Sequence, residues 1–422
     1  MRYLRRSRLA ANTLTLTASN AGTALLALLL SILIGRVLGE DGLGVYATAL
    51  AWIFPLALLA DFGLGTLLTR DLAQDHQHES IEPYLRAASS AILILGGLTS
   101  FMLFAAAGLL SDDPLVVTGI RISAPLILIQ PLYGAITAIF RSGRLMWPVA
   151  ALNLGMLLVQ LPLTVLAFSI GGGIKAALLV NLMTSAGQLL AAMVALWLWY
   201  RITQPDRPLN PDPGYDRARP YTSTRRMMRR AWPFALAAVL AAMQMRLSII
   251  LLERFTDTGE VGAYAAALRF FDGGRMVPNA LFGALLPALS QLTLQADVFR
   301  QTFARANGLL ILYSITFGLG CLLLASWLID LTFGPDFASA AGVLTLLGWS
   351  MLPLTLRHAR TLYWFAHGQE AFVNRVTAIT LVLQFLLSLW LISEYGAMGA
   401  AGVAIMTECA ALILLWSKRV GA

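Results

Sequence analysis

The sequence has little charge and almost no cysteine, and each shortage excludes a class of protein. Charged residues make up 12% of the 422 positions, about half of the roughly 25% found in soluble domains. With 58% hydrophobic residues and a mean hydropathy of +0.73, the chain is not a soluble globular protein. Its two cysteines, Cys321 and Cys409, lie in apolar runs, which excludes a disulfide framework. The composition therefore predicts an integral membrane protein.

Groupings of catalytic residues are also lacking. Outside the apolar runs, no Ser/His/Asp arrangement and no paired carboxylates are placed in a way that argues for catalysis, so nothing favours an enzyme. The segment 75–79 (DHQHE) has metal-binding side-chain types, but it lies in a charged connection, where a solvated loop is the simpler interpretation. The three glycines 171–173 follow no strand, so they indicate a turn and not a phosphate loop. We therefore expect no enzyme activity, no cofactor and no metal site.

Long apolar runs fill most of the chain. At about 20 apolar residues per crossing, these runs predict an all-α integral membrane protein of about twelve transmembrane helices. The predicted spans are 12–35, 44–69, 85–110, 116–140, 147–169, 174–199, 231–252, 261–290, 303–328, 339–365, 371–392 and 400–417.

One connection differs from the other, short ones. Residues 201–230 contain five prolines and many charges, which excludes a span and indicates an exposed linker. The linker divides the chain into an N-terminal lobe, 1–200, and a C-terminal lobe, 231–422, with six spans each.

The arginines predict the orientation of these lobes. With the N-terminus placed in the cytoplasm, the linker and the other arginine-rich connections all fall on the inner side. These connections hold, among others, Arg70, Arg86, Arg141 and Arg144. We therefore expect both termini to be cytoplasmic. The net charge of +8 reflects this asymmetry, and no nucleic-acid partner is expected.

The two lobes share short motifs. Residues 44–50 (GVYATAL) match 262–268 (GAYAAAL) at an offset of 218. Two later matches, at an offset of 225, join 140–143 to 365–368 and Gly171 to Gly396. Because each lobe has an even number of spans, both begin on the same side of the membrane. The repeat is then parallel, with a pseudo-two-fold axis along the membrane normal. This architecture predicts a cleft between the lobes and a binding site near mid-membrane.

Charged residues lie inside the eighth predicted span. Arg269, Asp272 and Arg275, with Asn279 one turn later, share an arc of about 120° on an ideal helix. Because an unpaired charge at mid-bilayer costs roughly 2.5 to 3.5 kcal/mol, this face must meet water, countercharges or a ligand. One alternative is a salt bridge between Asp272 and an arginine that only locks helices together.

Arginines outnumber carboxylates in the spans as a whole, and guanidinium groups bind phosphate oxygens in a bidentate manner. We therefore predict an anion site. Its candidate residues are Arg246, Arg269, Asp272, Arg275, Asn279, Arg357 and Arg360. For Arg357 and Arg360, near the inner end of their span, the alternative is that they snorkel to the interface.

Several stretches resemble a known family. Residues 33–73 are similar to the N-terminal signature of Wzx-type polysaccharide-export flippases, in the MOP (multidrug/oligosaccharidyl-lipid/polysaccharide) superfamily. The second half agrees at 231–240, 261–270, 333–353 and 395–408. The resemblance implies alternating access and movement of a polyprenyl-pyrophosphate-linked oligosaccharide to the outer leaflet of the bacterial inner membrane, for surface polysaccharide biosynthesis. The expected partners are this lipid-linked substrate, membrane lipids and polysaccharide assembly proteins.

This function gives roles to the polar residues of the spans. The arginines would hold the pyrophosphate. Sugar contacts are predicted for Asn12, Ser19, Asn181, Gln188, Gln244 and Trp364, although small polar residues at helix contacts and an aromatic belt residue are alternatives. Asp61 and Glu408 are candidates for coupling to H+ or Na+, unless Asp61, which precedes Gly63 and Gly65, only ends a bend.

Two other functions remain as alternatives. A cation-coupled multidrug exporter of the same superfamily would favour carboxylates facing its cationic substrates, and here arginines predominate. A membrane polysaccharide polymerase or ligase would need a sizeable outer loop, and the outer loops here are only several residues long.

Overall fold

A computed structural model describes residues 2–74, 81–143, 145–203, 224–282 and 296–417, which are helical, with no strand among them. The predicted all-α class is thereby confirmed. In chain order the helices are α1 Arg2–Asp61, α2 Leu64–Gln74, α3 Glu82–Leu110, α4 Pro114–Ser123, α5 Leu126–Ser142, α6 Met146–Ser169, α7 Ile174–Thr203, α8 Thr224–Phe255, α9 Thr258–Gly274, α10 at 276–282, α11 Ala296–Thr332, α12 Ala338–Ala366 and α13 Glu370–Ser417.

Eight helical stretches in these residues are long and apolar enough to cross a membrane, so the chain is a multi-pass membrane protein. Two of them, Ala18–Asp61 and Glu370–Ser417, have 44 and 48 residues. At about 1.5 Å per residue each is more than twice as long as the roughly 30 Å hydrocarbon core is thick. Each is interrupted by a left-handed glycine, Gly39 with φ 71° and Gly396 with φ 53°. Helices α8 and α9 are not among the eight, so the count of twelve spans stays a prediction.

Three predicted spans contain a helix break, and in span 261–290 it falls between α9 and α10, at Arg275. Span 44–69 is interrupted after Asp61, where Phe62 and Gly63 have φ values of 49° and 73°. Span 116–140 is interrupted before Leu126, where Pro125 brings no backbone N–H to the helix. The break at Phe62 and Gly63 leaves the Asp61 carboxylate at the end of α1, facing the first turn of α2.

The chain folds into two compact units. Unit 1 comprises residues 1–27 and 49–242, and unit 2 comprises 28–48 and 243–422. In unit 1, the apolar side of α2 packs against α3 and α5. Its core includes Leu64, Leu67, Leu68 and Leu72 from α2, Ala88 and Ile92 from α3, and Ala135 and Ile139 from α5.

Within unit 2, the two copies of the repeated glycine motif meet. A Cβ on Gly44 of α1 would overlap the carbonyl oxygen of Thr258, and a Cβ on Gly262 of α9 would overlap that of Glu40. Glu40 and Thr258 are themselves 218 residues apart, like the two glycines. The contact is therefore nearly symmetric, because each glycine admits the carbonyl of the residue four positions before the other glycine.

Candidate functional site

A cluster of charged side chains in unit 2 joins α8 to α9. It consists of Arg246 on α8, Arg269 and Asp272 on α9, and Arg275, which immediately follows α9. Arg246 interacts electrostatically with all three of the others. We call these four residues the cationic cluster, because three guanidinium groups and one carboxylate leave two net positive charges.

Within the cluster, Arg275 forms an ion pair with Asp272. Arg275 Nη1 donates to Asp272 Oδ1 at 3.2 Å, and the two side chains are 20% and 38% exposed. The neighbouring Nε of Arg275 is buried and has no hydrogen-bond partner in the described part of the chain. A buried donor without an acceptor costs about 1 to 3 kcal/mol. The Asp272 pair therefore leaves the cluster with surplus charge and with a donor that an anionic oxygen would satisfy.

Arg357 and Glu408 lie together as a bidentate ion pair between α12 and α13. Arg357 Nη2 donates to Glu408 Oε1 at 3.1 Å, and its Nε donates to Oε2. The side chains are 17% and 16% exposed. In this conformation each neutralises the other, so Arg357 adds no net charge to the cationic cluster.

His358 is a site residue that the sequence analysis did not identify. Its Nε2 lies 3.2 Å from Arg357 Nη2, its ring contacts Phe282 of α10 at 5.4 Å, and it interacts electrostatically with Arg275. On an ideal helix His358 points about 100° away from Arg357. The long arginine side chain bridges that angle, which helical-arc reasoning does not take into account.

Four other predicted residues of this region serve helix packing or lie apart. The guanidinium of Arg360 lies over the rings of Tyr363 and Trp364, at 4.7 and 5.5 Å. Trp364 is 2% exposed and donates to the carbonyl of Leu415 at 3.0 Å. Gln244 of α8 donates to Thr380 of α13 at 3.4 Å. Asn279 is exposed, one turn beyond Arg275.

The polar residues predicted in the first lobe lie at helix contacts within unit 1. Ser19 Oγ is 3.5 Å from the carbonyl of Ala150. Gln188 donates to the carbonyl of Leu152 and to Asn153 Oδ1, both at 3.2 Å. Asn181 is buried, and the side chain of Asn12 lies outside the described residues. These positions agree with the packing alternative.

Asp61 instead faces a cavity of about 640 Å³ inside unit 1, which we call the Asp61 cavity. Residues of α1, α2 and α5 line it: Phe54, Ala57, Leu58, Asp61, Gly65, Thr66, Thr69, Arg70, Gln130, Pro131, Gly134 and Arg141. Across the helix break, the N–H of Gly65 donates to both carboxylate oxygens of Asp61, at 3.3 and 3.4 Å. Asp61 is thus held in place by the first turn of α2.

Arg141 is the second residue that sequence reasoning missed, because it was assigned to a cytoplasmic connection. Its side chain runs back along α5, where Nε and Nη2 donate to the carbonyls of Thr137 and Gly134 at 3.3 and 3.2 Å. It interacts electrostatically with Asp61, without a direct ion pair among the described contacts. The signal that could have found it is that helical side chains point towards the N-terminus of their helix.

Comparisons with known proteins agree with a transporter fold. Residues 9–293 match the model of a family described as polysaccharide biosynthesis protein. The structure is similar to the lipid II flippase MurJ in an inward closed conformation (TM-score 0.76, 14% identity, 95% of this chain and 86% of that chain). It is also similar to an inward-facing multidrug resistance MATE family transporter of the MOP superfamily (TM-score 0.71, 14% identity, 93% of each chain).

A third similar structure is a MOP superfamily transporter from Pyrococcus furiosus, described as having a binding pocket of reverse polarity (TM-score 0.64, 14% identity, 97% of this chain and 93% of that chain). A comparison with curated protein sequences gave no match. At these identities the structural similarities establish the fold, which is that of MOP superfamily transporters.

Proposed function

Because this chain belongs to the polysaccharide biosynthesis protein family, by its match over residues 9–293, we propose that it flips a polyprenyl-pyrophosphate-linked oligosaccharide across the bacterial inner membrane. The family and the fold are those of membrane flippases and transporters. Beyond this family and fold, we propose that the substrate moves from the cytoplasmic to the outer leaflet by alternating access of two six-span lobes. We also propose that both termini are cytoplasmic and that the protein acts in surface polysaccharide biosynthesis.

The cationic cluster is the observation that carries this proposal. Its net charge of two matches an anionic headgroup, and the buried Nε of Arg275 lacks an acceptor in the described residues. Guanidinium groups bind phosphate oxygens through paired hydrogen bonds, which are stronger than neutral ones. A pyrophosphate group would supply both the negative charge and the acceptors.

The membrane potential favours the proposed direction. An inside-negative potential drives a net negative charge outwards by about 2.3 kcal/mol per charge per 100 mV. This contribution requires that the arginines stay behind while the headgroup moves, as residues fixed on α8 and α9 would. The isoprenoid tail can remain in lipid throughout.

A multidrug exporter is the second candidate, because the fold is also similar to that of a multidrug resistance MATE transporter. Cationic drugs would be repelled by a cluster with surplus positive charge. Drug resistance conferred by expression of the protein, without any effect on polysaccharide, would favour this second candidate.

The proposal can be tested in cells that depend on this protein for surface polysaccharide. We expect Arg269→Ala and Arg275→Ala to reduce surface polysaccharide at least tenfold, with accumulation of lipid-linked sugar on the cytoplasmic side. Arg201→Ala is the matched control, because Arg201 is exposed and stacks on Trp197 at 4.4 Å. Normal polysaccharide in both cluster variants, at normal protein levels, would remove the anion site.

A further inference from the structure

We propose that the Asp61 cavity binds an uncharged sugar of the headgroup, separately from the pyrophosphate site. This inference rests on the proposed function for the origin of the sugar. The pocket itself depends only on the geometry of unit 1. Its volume of about 640 Å³ lies within the roughly 300 to 1,000 Å³ that small-molecule sites have.

The charges that line the Asp61 cavity are balanced. Asp61 and Arg141 interact with each other across it, and Arg70 pairs with Asp71 at 2.9 Å. A phosphate would meet the Asp61 carboxylate, and a metal cation would meet the Arg141 guanidinium. Each ion therefore has an unfavourable neighbour, whereas a neutral ligand has none.

The cavity offers hydrogen-bonding groups of both kinds. Thr66 and Gln130 are exposed and their side chains make no hydrogen bond in the described residues. Arg141 keeps its Nη1 donors, since only Nε and Nη2 bind α5. Polar groups like these are costly against acyl chains, so the cavity is filled by water or by a polar ligand. A carboxylate, an amide, a hydroxyl and a guanidinium together suit the vicinal hydroxyl groups of a sugar.

Two glycines keep this space open. A Cβ on Gly65 would lie 3.3 Å from Asp61 Oδ1, and a Cβ on Gly134 would lie 3.9 Å from the same atom. Both helices that face Asp61 therefore lack a side chain at the closest point. Phe54, Leu58 and Pro131 give the cavity an apolar wall, against which the C–H faces of a sugar ring can pack. Such a combination is typical of pockets that orient a neutral polar ligand.

This proposal assigns Asp61 a hydrogen-bonding role instead of ion coupling. The test uses the full chain, purified in detergent, with a fixed panel of uncharged disaccharides built from glucose, galactose, mannose and N-acetylglucosamine. Inorganic pyrophosphate is the second probe. Binding is measured by saturation-transfer NMR for the sugars and by calorimetry for pyrophosphate.

We expect at least one disaccharide to bind the wild-type protein. Asp61→Asn and Gln130→Ala should each weaken that binding about tenfold, since each removes hydrogen bonds to the ligand, and should leave pyrophosphate affinity within twofold. Unchanged pyrophosphate binding also shows that the variants are folded. Arg269→Ala should weaken pyrophosphate binding about tenfold and leave disaccharide affinity within twofold. The control is Ser169→Ala, which is exposed at the end of α6 and outside the cavity lining.

Each other outcome is decisive. The pocket is excluded if no disaccharide of the panel binds, or if Asp61→Asn and Gln130→Ala leave sugar affinity unchanged. An ion site is shown instead if Asp61→Asn leaves sugar affinity unchanged and only removes a dependence of sugar binding on Na+ or pH. If the Arg269 variant keeps its pyrophosphate affinity while the sugar results hold, the anion site fails and the sugar pocket stands.

A second measurement tests the location of the sugar. The two native cysteines, Cys321 and Cys409, lie in unit 2 and can be replaced by serine. In that background, Thr66→Cys, at an exposed position of the cavity lining, should react with a maleimide, and a saturating concentration of the disaccharide should slow the reaction at least threefold. Ser169→Cys should react at the same rate with and without sugar. Equal protection at both positions, or at neither, would contradict the pocket.

Discussion

The cationic cluster of unit 2 and the Asp61 cavity of unit 1 overlap at aligned positions of the repeat but differ in net charge. With the offset of 218 that relates Gly44 to Gly262, Phe54, Ala57 and Asp61 correspond to Asp272, Arg275 and Asn279. The cavity-lining face of α1 is therefore equivalent to the charged face of α9 and α10. One copy has a cavity with balanced charges, and the other has surplus positive charge.

This difference shows how one helical framework can present two kinds of site. The backbone features are shared, since each glycine motif admits the other helix at the Gly44 and Gly262 contact. The side chains on the equivalent faces have diverged in charge. Function follows from those side chains and not from the fold, which relatives of this architecture use for different substrates.

Charge reversal in the cationic cluster should have the largest effect, because it removes the charge that distinguishes the cluster from the Asp61 cavity. Arg275→Glu leaves the four positions without net charge and puts a carboxylate beside Asp272, so we expect pyrophosphate affinity to fall about 100-fold or more. Calorimetry on the purified protein measures it. Disaccharide binding should stay within twofold, and Arg201→Glu, at an exposed position, should change neither. A loss of less than threefold would show that the cluster is not the pyrophosphate site.

Substitution of the paired glycines tests the symmetry behind the comparison. Gly44→Ala and Gly262→Ala each force a Cβ into a backbone carbonyl, and overpacking of this kind costs roughly 1 to 3 kcal/mol. We expect similar decreases in Tm, of several °C, in thermal unfolding of the detergent-solubilised protein. At Gly97 of α3 a Cβ would meet nothing within 4 Å, so Gly97→Ala should be neutral or slightly stabilising. A large effect at one motif glycine alone would argue against a symmetric contact.

Breaking the Arg357–Glu408 pair should increase the difference in charge between the two sites, with a smaller effect on pyrophosphate affinity than the changes above. Glu408→Gln releases the charge of Arg357 near the cationic cluster, and we expect pyrophosphate affinity to rise about three- to tenfold. The double variant Arg357→Gln/Glu408→Gln should return to the wild-type value. An unchanged affinity in the single variant would mean that Arg357 lies too far from the bound anion to contribute.

The sequence was sufficient to predict the helical, membrane-spanning class and the proximity of Asp272 and Arg275, whereas the count of twelve spans stays a prediction. These features follow from local periodicity and composition, which determine helices and their faces. The Arg357–Glu408 pair was not predictable, because it joins residues 51 positions apart through tertiary packing. A bend after Asp61 was one of two interpretations that the sequence left open, but its position at Phe62 was not predictable, since a non-glycine residue adopts positive φ there.

The Asp61 cavity was predictable in part: one of its residues was recognisable from the sequence and another was not. Asp61 itself was recognisable as a carboxylate within an apolar run, and its alignment with Asn279 followed from the repeat. Its partner Arg141 was not identified, because positive-inside reasoning assigns an arginine at the end of a span to the cytoplasm. Only the packing of α2 and α5 around the helix break shows that this arginine reaches the cavity.

The central claim is that the protein flips a lipid-linked pyrophosphoryl sugar by means of the cationic cluster. It is tested most directly in proteoliposomes that contain the full chain and a fluorescent polyprenyl-pyrophosphoryl disaccharide. The measured quantity is the rate at which inner-leaflet probe becomes accessible to an external quencher. We predict rapid flipping by the wild-type protein and at least a tenfold slower rate for Arg275→Ala. Equal rates for the wild type, this variant and protein-free liposomes would contradict the account.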